Sequence, residues 1–164
     1  MYDGQLGPGN LNAQLVMEKA IEKAKREGIA VIFLRNTNHW MRGGAFGWQA
    51  AEAGCGTICF TNTLTNLLPW RAKESKLGNN PLVKAVPRPK KHIVLDMAVS
   101  QYAYGILGKY EMENKELPYS GGYNQAGELT TDLEEILKSM WPLQRKIELF
   151  KIIWSLKAGR ISPK

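Results

Sequence analysis

The sequence contains few residues that build metal sites or disulfides: two cysteines and two histidines among 164 residues. Cys55 and Cys59 are four residues apart in a strand-like segment, and that separation along one strand is too long for an easy disulfide. So few candidate ligands also argue against a zinc site. We therefore expect two buried thiols in a reducing compartment, without a disulfide or a bound metal.

Long apolar runs are missing as well. The longest contain only a few residues, whereas a helix needs about 20 to cross a bilayer, so we expect no membrane-spanning segment. Residues 1–4 have neither the basic nor the apolar region of a signal peptide. We therefore expect a cytoplasmic protein, and its composition, 44% hydrophobic and 23% charged, is typical of a globular domain.

Acidic residues are scarce only near the end of the chain. Residues 144–164 carry six Lys or Arg and one acid, whereas residues 1–143 carry sixteen Lys or Arg and fourteen acids. Five apolar residues of this tail share about one side of a helix: Ile147, Phe150, Ile153, Trp154 and Leu156. Such a helix either docks on the rest of a globular fold or lies on an anionic membrane or a partner. The rest of the chain has no nucleic-acid motif, so we expect no nucleic-acid partner.

Segments with helical and strand character alternate along the chain, which predicts an α/β fold. Apolar spacing predicts a helix that is capped by Asn10 or Asn12 and ends at Gly28, and further helices over residues 44–53, 102–114 and 133–156. Apolar runs predict strands over residues 29–34, 57–61, 82–86 and 92–97, the first of them covered on both faces. Loops are expected over residues 6–12, 62–80 and 117–132.

The densest cluster of polar side chains lies in residues 35–44, between a predicted strand and a predicted helix. Loops at the carboxyl ends of strands often carry ligand sites in α/β proteins. The imidazole of His39 can exchange a proton or polarise a carbonyl, and Arg35 and Arg42 can clamp a carboxylate. The alternatives are a histidine that only holds the loop and arginines that lie in solvent. We favour a site for a small anionic substrate.

Two further segments carry a weaker signal. Residues 78–81 have strong turn chemistry, in which Asn80 holds either a ligand or the loop itself, and the spacing alone favours the loop. The strand over residues 92–97 contains Asp96, whose carboxylate can bond a ribose hydroxyl, although a core strand is the default interpretation. The chain has no G-x-G-x-x-G or P-loop sequence, so a dinucleotide would have to bind without the usual Rossmann loop.

Several motifs match one known family in order and spacing. They are Arg35-Asn36-x-Asn38-His39-Trp40-Met41-Arg42-Gly43-Gly44 with Gly47-Trp48-Gln49-Ala50-Ala51-Glu52 behind it, Thr61-Asn62, Pro69-Trp70-x-Ala72-Lys73-Glu74, Gly78-x-Asn80-Pro81, Val94-Leu95-Asp96-Met97, Tyr104-Gly105 and the loop from Leu117-Pro118 to Gly127. From about Asp3 to about Leu143 the chain resembles the malate/L-lactate dehydrogenase family of non-Rossmann NAD(P)-dependent oxidoreductases, and within it the diketogulonate-reducing members.

The resemblance implies a three-layer α/β sandwich with a mixed sheet, a non-Rossmann nicotinamide site and a homodimer. The implied reaction transfers a hydride between NAD(H) or NADP(H) and the carbonyl of a small 2-oxo acid, similar to 2,3-diketo-L-gulonate or to the oxo acids of malate and lactate. His39 corresponds to a histidine of the substrate pocket, and we expect Arg42 and Asn80 to bind the substrate. The cofactor strand corresponds to His92, Ile93, Val94, Leu95, Asp96, Met97 and Ala98.

The chain also departs from the family pattern. The family's proton-donating histidine lies in a Ser-His-Gly motif, and a Gly-Tyr-x-Lys-Gly-x-Gly motif contributes to its cofactor site; neither motif occurs here. Arg71 and Asn79 stand where the family usually has Gly and Thr. We therefore expect residues 1–143 to be the central part of a truncated reductase domain with impaired activity, followed by a basic tail. The alternative is an inactive remnant that binds a partner or a membrane surface through residues 144–164.

The preference between NADH and NADPH stays open at this level. Arg88, Lys90 and Lys91 directly precede the expected cofactor strand. They can meet a 2′-phosphate, or they can form a solvated turn, and the sequence favours neither.

Overall fold

The computed structural model describes residues 1–65, 67, 69 and 74–139. Its elements are β1 (Tyr2–Gly7), α1 (Gly9–Glu27), β2 (Leu34–Thr37), α2 (Gly44–Glu52), β3 (Thr57–Phe60), β4 (Leu82–Val86), β5 (Ile93–Met97), α3 (Tyr104–Met112), β6 (Gly122–Tyr123), β7 (Leu129–Thr130) and α4 (Leu133–Ser139). Within this part of the chain the strands form three sheets: β1 beside β2, β3-β4-β5 in that order, and β6 beside β7. The predicted α/β class is therefore confirmed.

The chain divides into two compact units. The first contains Met1–Cys59 and Leu82–Asp96, and the second contains Phe60–Pro81 and the described residues from Met97 onward. The predicted boundary at residue 143 and the basic tail lie outside the described residues, so both stay predictions.

In the first unit, β1 pairs in parallel with β2, and the register shifts between Asp3 and Gly7. Gln5 and Leu6 adopt left-handed φ values of 50° and 57° inside this irregularity. A bulge of this kind lets one strand contain more residues than its partner and bends it. The irregular backbone hides β1 from any search for strict alternation, and the sequence did not predict this strand.

The prediction of a loop over residues 6–12 is wrong. These residues complete β1 and begin α1, with Pro8 as the residue before the first helical position. Asn12 does not cap the helix; its side-chain amide donates to the Gly4 carbonyl oxygen at 3.0 Å and to Thr37 Oγ1 at 2.9 Å. The amide therefore fastens β1 and β2 to α1. At the other end, Gly28 closes the helix as predicted, in the left-handed conformation with φ of 86°.

The strand predicted over residues 29–34 is also displaced. β2 begins only at Leu34, and the side chains of Ile29, Val31 and Phe33 are 63%, 71% and 61% exposed. An apolar run predicts burial only where a neighbouring element covers it. No described element covers these three side chains, so the expectation of a strand buried on both faces is wrong.

Helix α2 packs against β4 and β5 where a glycine allows close approach. A Cβ on Gly47 would lie 2.8 Å from Val83 Cγ1 and 3.2 Å from Val94 Cγ1, closer than side chains normally pack. The buried apolar residues of this unit are Phe46, Ala50, Ala51, Val83 and Ala85. The positions predicted for α2, β3, β4 and β5 are confirmed to within a few residues.

The second unit has its own core, formed by Tyr102, Leu107, Leu117, Leu133 and Ile136. The Tyr102 hydroxyl donates to the Tyr119 carbonyl oxygen at 3.3 Å, and the two rings stack with centroids 5.1 Å apart. Burial, followed by the proximity of Tyr119, raises the pKa of Tyr102 to about 12. This hydroxyl therefore stays protonated and serves as a structural donor.

The segment 117–132 is not only a loop, because β6 and β7 form an antiparallel hairpin within it. Asn124 closes its turn: the backbone N–H donates to the Glu128 carbonyl oxygen, and Oδ1 accepts the Glu128 N–H, both at 2.9 Å. Strands of two residues are too short to show an alternation of apolar and polar residues in the sequence. Asp132 Oδ1 then caps α4, and the part of the predicted final helix beyond Ser139 lies outside the described residues.

Both cysteines are free and half-buried. Burial raises the pKa of the Cys59 thiol, because a thiolate loses hydration when it is removed from water. This environment is that of a structural cysteine rather than a reactive one.

Candidate functional site

His39 projects from the loop between β2 and α2 and is exposed. The backbone N–H of Met41 donates to His39 Nδ1 at 2.9 Å. In a neutral imidazole that leaves the proton on Nε2, the nitrogen that faces away from this contact. Met41 holds its N–H in place with a left-handed φ of 64°, a conformation that is costly for a residue with a side chain. The loop thus presents one oriented imidazole donor.

Arg42 lies three residues further along the same loop. Its side chain is exposed and forms no ion pair with any described residue. Arg35 differs, because its guanidinium pairs with Asp3 at 3.2 Å. Arg35 is thus engaged in fastening β2 to β1, and the assignment of Arg42 to substrate binding stays a prediction.

Asn36, in β2, and Asn38, in the loop, have structural roles. Asn36 Nδ2 donates to Asp3 Oδ2 at 3.0 Å, and Asn38 Nδ2 donates to the Leu6 carbonyl oxygen at 2.6 Å. The Gln5 N–H, then the Asn36 amide and the Arg35 guanidinium, lower the pKa of Asp3. Three polar side chains of residues 35–44 therefore bind this segment to β1: Arg35, Asn36 and Asn38. The assignment of His39 and Arg42 to a ligand stays a prediction.

Asp96, in β5, joins the expected cofactor strand to this loop. Its Oδ2 accepts the backbone N–H of Gly44 at 2.7 Å, at the first residue of α2. A carboxylate at a helix N-terminus satisfies an unpaired N–H and interacts favourably with the helix dipole. Gly44 directly follows the loop that carries His39 and Arg42, so this bond fixes one end of that loop against β5.

Three contacts join α2 to β5, and as the residue number rises along the helix it falls along the strand. Gly44 meets Asp96, Gly47 meets Val94, and the Trp48 ring meets the His92 ring edge-on with centroids 5.8 Å apart. The helix therefore runs alongside the strand in the opposite direction. As a result, the Asp96 end of β5 is the end beside the His39 loop, and the His92 end is the end remote from it.

The face of β5 that points away from α2 is open. Val94 contacts α2, and because side chains alternate along a strand, Ile93 and Leu95 point the other way. These two side chains are 54% and 42% exposed. The same alternation places Asp96 on the α2 side of the strand, at the end of this strip, with its side chain exposed. The strip offers an apolar surface for a flat ring and the carboxylate at its end offers a polar group for a ribose, so the residues present fit a nicotinamide dinucleotide.

Asn80 belongs to the second unit, and the structure shows it holding its own loop. Its backbone N–H donates to Thr63 Oγ1 at 3.3 Å, and the Thr63 hydroxyl donates to Asn80 Oδ1 at 3.4 Å. The neighbouring Asn79 carbonyl oxygen accepts the Val99 N–H at 2.8 Å. These contacts match the loop-holding alternative, and the assignment of Asn80 to substrate binding stays a prediction. The assignment of Met97 and Ala98, which lie in this second unit, to the cofactor strand also stays a prediction.

A Gly44→Ala substitution is expected to disturb the join between β5 and the loop. The added Cβ would lie 2.6 Å from Asp96 Oδ2 and 3.1 Å from Asp96 Cβ, so the carboxylate would have to withdraw from the helix N-terminus. We expect the free energy of unfolding to fall by about 1–3 kcal/mol. Urea unfolding measures it, with Gly105→Ala in α3 as the control, because a Cβ there meets nothing within 4 Å. Equal stability of the two variants would contradict this role for Gly44.

Two features of the site escaped sequence reasoning. The structural use of Gly43 and Gly44 depends on their neighbours: a Cβ on Gly43 would lie 2.8 Å from Trp40 Cζ2. The contact of Trp48 with His92 joins residues 44 positions apart in the sequence, and no local pattern announces it. The Gly-Gly pair at the start of a helix is the one local signal that could have indicated close packing.

Among the described residues there is no cluster of three or more histidine, cysteine, aspartate or glutamate side chains that could hold a metal ion. No helix in this same part of the chain combines the length and apolar character needed to cross a membrane.

Comparison with known proteins gives the same family over most of the chain. A family model described as malate/L-lactate dehydrogenase matches residues 1–147. The 2,3-diketo-L-gulonate reductase of Klebsiella oxytoca is 45% identical over 138 residues, which are 84% of this chain and 41% of that protein.

Solved structures agree with this match. The malate dehydrogenase of Entamoeba histolytica superimposes with a TM-score of 0.80 at 30% identity, and the sulfolactate dehydrogenase of Methanocaldococcus jannaschii with 0.75 at 32% identity. Each alignment covers 87% of this chain and 41% of the other. The chain thus spans about two fifths of the length of the relatives it matches. On the match of the family model to residues 1–147, this chain belongs to the malate/L-lactate dehydrogenase family.

Proposed function

We propose that this chain forms part of an oxidoreductase that transfers a hydride between NAD(H) or NADP(H) and the carbonyl carbon of a small 2-oxo acid, giving a 2-hydroxy acid. The observation that carries the proposal is the 2.7 Å bond from the Gly44 N–H to Asp96 Oδ2. It joins the end of β5, the strand proposed for the cofactor, to the loop that carries the groups proposed for the substrate. The proposal extends to a homodimer, which the family resemblance supports, and to the cytoplasm, a reducing compartment that suits two free cysteines.

The cofactor would lie along β5. Ile93 and Leu95 offer open apolar surface for a ring, and Asp96 keeps Oδ1 for a ribose hydroxyl while Oδ2 is engaged with Gly44. A bound nicotinamide supplies or accepts the hydride, and the protein supplies orientation and electrostatics.

Arg42 and His39 would hold the substrate. The exposed Arg42 guanidinium would bind the carboxylate with two parallel hydrogen bonds. The Nε2–H of His39 would donate to the carbonyl oxygen, stabilise the negative charge that develops there and deliver the proton that completes the hydroxyl group. The names of the relatives refer to malate, sulfolactate and 2,3-diketo-L-gulonate, each of which joins a carboxylate to a neighbouring oxygen function.

A second candidate function is supported by the sequence alone. Binding of a partner or a membrane surface through residues 144–164 rests on the basic, amphipathic pattern of that tail, which lies outside the described residues. Deletion of residues 144–164 separates the two, because nicotinamide binding should survive it and tail-dependent association should not.

The proposal is tested by titrating the purified chain with NADH and NADPH and following nicotinamide fluorescence. A 2-oxo acid, first 2,3-diketo-L-gulonate, is then added and oxidation of the cofactor is followed. We expect saturable binding of at least one nucleotide, followed by oxidation that depends on the acid. Absence of binding to either nucleotide, in a chain shown by circular dichroism to be folded, would contradict the proposal.

An Arg42→Gln variant tests the substrate end. Loss of a charge-assisted, two-bond contact should raise the KM for the 2-oxo acid by about 10- to 100-fold, because such bonds contribute about 1.5–3 kcal/mol. Binding of the nucleotide should be unchanged. Arg26→Gln, which removes another exposed arginine from α1, is the matched control and should leave both constants unchanged. An unchanged KM in Arg42→Gln would remove Arg42 from the site.

A further inference from the structure

The turn between β4 and β5 is strongly basic. β4 ends at Val86 and β5 begins at Ile93, and the residues between them include Arg88, Lys90 and Lys91 but no acid. All three side chains are exposed, and none pairs with a described carboxylate. Three cations within four residues repel one another unless an anion lies between them. The turn therefore has the charge and the open surface of an anion site.

The backbone of this turn is held in place. Pro87 and Pro89 fix two of its φ angles. The Arg88 N–H donates to His92 Nδ1 at 3.2 Å, which leaves the proton of a neutral His92 on Nε2. The edge-on Trp48 ring fixes the other side of the imidazole, with centroids 5.8 Å apart. The cationic side chains thus extend from an anchored turn.

The position of the turn along β5 determines which part of a dinucleotide it can meet. The nicotinamide must contact the substrate, so its end belongs beside Asp96 and the His39 loop. His92 lies four residues before Asp96, about 13 Å away along an extended strand. A dinucleotide that extends along β5 from Asp96 therefore brings its adenosine half to His92 and the basic turn.

We propose that Arg88, Lys90 and Lys91 bind the 2′-phosphate of NADP(H), so that this chain prefers NADPH to NADH. The inference rests on the proposed function and names the cofactor of that site. The 2′-phosphate is a monoester with up to two negative charges and three acceptor oxygens, which match a guanidinium fork and two ammonium groups. NADH has a free hydroxyl at that position, which offers the three cations no charge to bind.

The test compares the dissociation constants of NADPH and NADH by nicotinamide fluorescence, in the full chain and in the triple variant Arg88→Ala/Lys90→Ala/Lys91→Ala. We expect NADPH to bind about tenfold or more tightly than NADH to the unmodified chain, because one charge-assisted bond is worth about that factor. The triple variant should lose this preference, with NADH affinity changed by less than about twofold. The control variant Lys23→Ala/Lys25→Ala/Arg26→Ala also removes two lysines and one arginine, from exposed positions on α1. It should keep the preference for NADPH.

Other results would overturn the inference. Equal binding of NADPH and NADH to the unmodified chain would do so, as would an equal loss for both nucleotides in the triple variant, which would assign the turn to the pyrophosphate. Loss of the preference for NADPH in the α1 control would show that the preference depends on the net charge of the chain and not on the position of these three cations. Absence of binding by either nucleotide would instead contradict the proposed function itself, so the two failures are distinguishable. Thermal unfolding of both triple variants checks that each is folded.

Discussion

A Gly9→Ala substitution is expected to lower the free energy of unfolding by about 2–3 kcal/mol, the most that overpacking usually costs. Gly9 is the buried first residue of α1, and the backbone of the His39 loop crosses directly over it. An added Cβ would overlap the carbonyl group of Asn38 and lie 2.5 Å from the His39 carbonyl oxygen. A side chain could rotate away from such a contact, but a backbone carbonyl can move only if the loop or the helix moves.

The Gly9→Ala substitution should affect the candidate site as well as the free energy of unfolding. The Asn38 N–H donates to the Gly7 carbonyl oxygen at 3.2 Å, so β1, the start of α1 and the loop are fastened at one place. Displacement of the loop should therefore weaken binding of the 2-oxo acid as well as lower the urea midpoint.

The control for Gly9 is Gly108→Ala in the middle of α3, where an added Cβ meets nothing within 4 Å. Alanine there should raise the free energy of unfolding by about 0.5–1 kcal/mol, because it restricts the unfolded chain and favours the helix. Opposite signs for the two helical glycines would attribute the loss at Gly9 to the crossing backbone. A Gly9→Ala variant as stable as the unmodified chain would contradict the close crossing.

The sequence predicts elements well where a local pattern decides the structure. The end of α1 at Gly28 follows from the left-handed conformation that glycine tolerates, and α2 and β3 to β5 follow from apolar spacing and length. It fails at β1, where Gln5 and Leu6 bend the strand in left-handed conformations, and at the hairpin of two-residue strands. These features depend on neighbours distant in the sequence.

The candidate site shows the same division. The chemistry of the loop is visible in its composition, which is why the sequence alone predicts His39 for a carbonyl and Arg42 for a carboxylate. The different role of Arg35 was not visible in the sequence. It depends on an ion pair of 3.2 Å between the Arg35 guanidinium in β2 and the Asp3 carboxylate in β1. The second role of Asp96, as the acceptor for the Gly44 N–H, likewise exists only once α2 lies beside β5.

His39→Gln is expected to lower kcat for reduction of a 2-oxo acid by about 10²–10⁴-fold, the usual contribution of a general acid. Glutamine keeps a polar amide at this position, so it can still donate a hydrogen bond to the carbonyl oxygen, but it cannot deliver a proton. Stability should change little, because the His39 side chain is exposed and its one hydrogen bond to a described residue is with the Met41 N–H. Steady-state kinetics with saturating nucleotide measures the effect.

The chain contains only one other histidine, which makes the comparison direct. His92→Gln should raise the KM for the nucleotide and leave kcat nearly unchanged, because His92 lies at the remote end of β5 beside the basic turn. A drop in kcat for His92→Gln equal to that for His39→Gln would place the proton donor elsewhere.

If turnover is too slow to follow, binding of oxamate, an unreactive analogue of a 2-oxo acid, to the chain saturated with NADPH provides the second readout. His39→Ala should weaken oxamate binding by about tenfold through the lost hydrogen bond, whereas His39→Gln should retain most of it. Equal binding of oxamate to His39→Ala and the unmodified chain would show that the imidazole does not face the substrate. The carbonyl oxygen would then depend on some other donor, and the proposed role of His39 would be wrong.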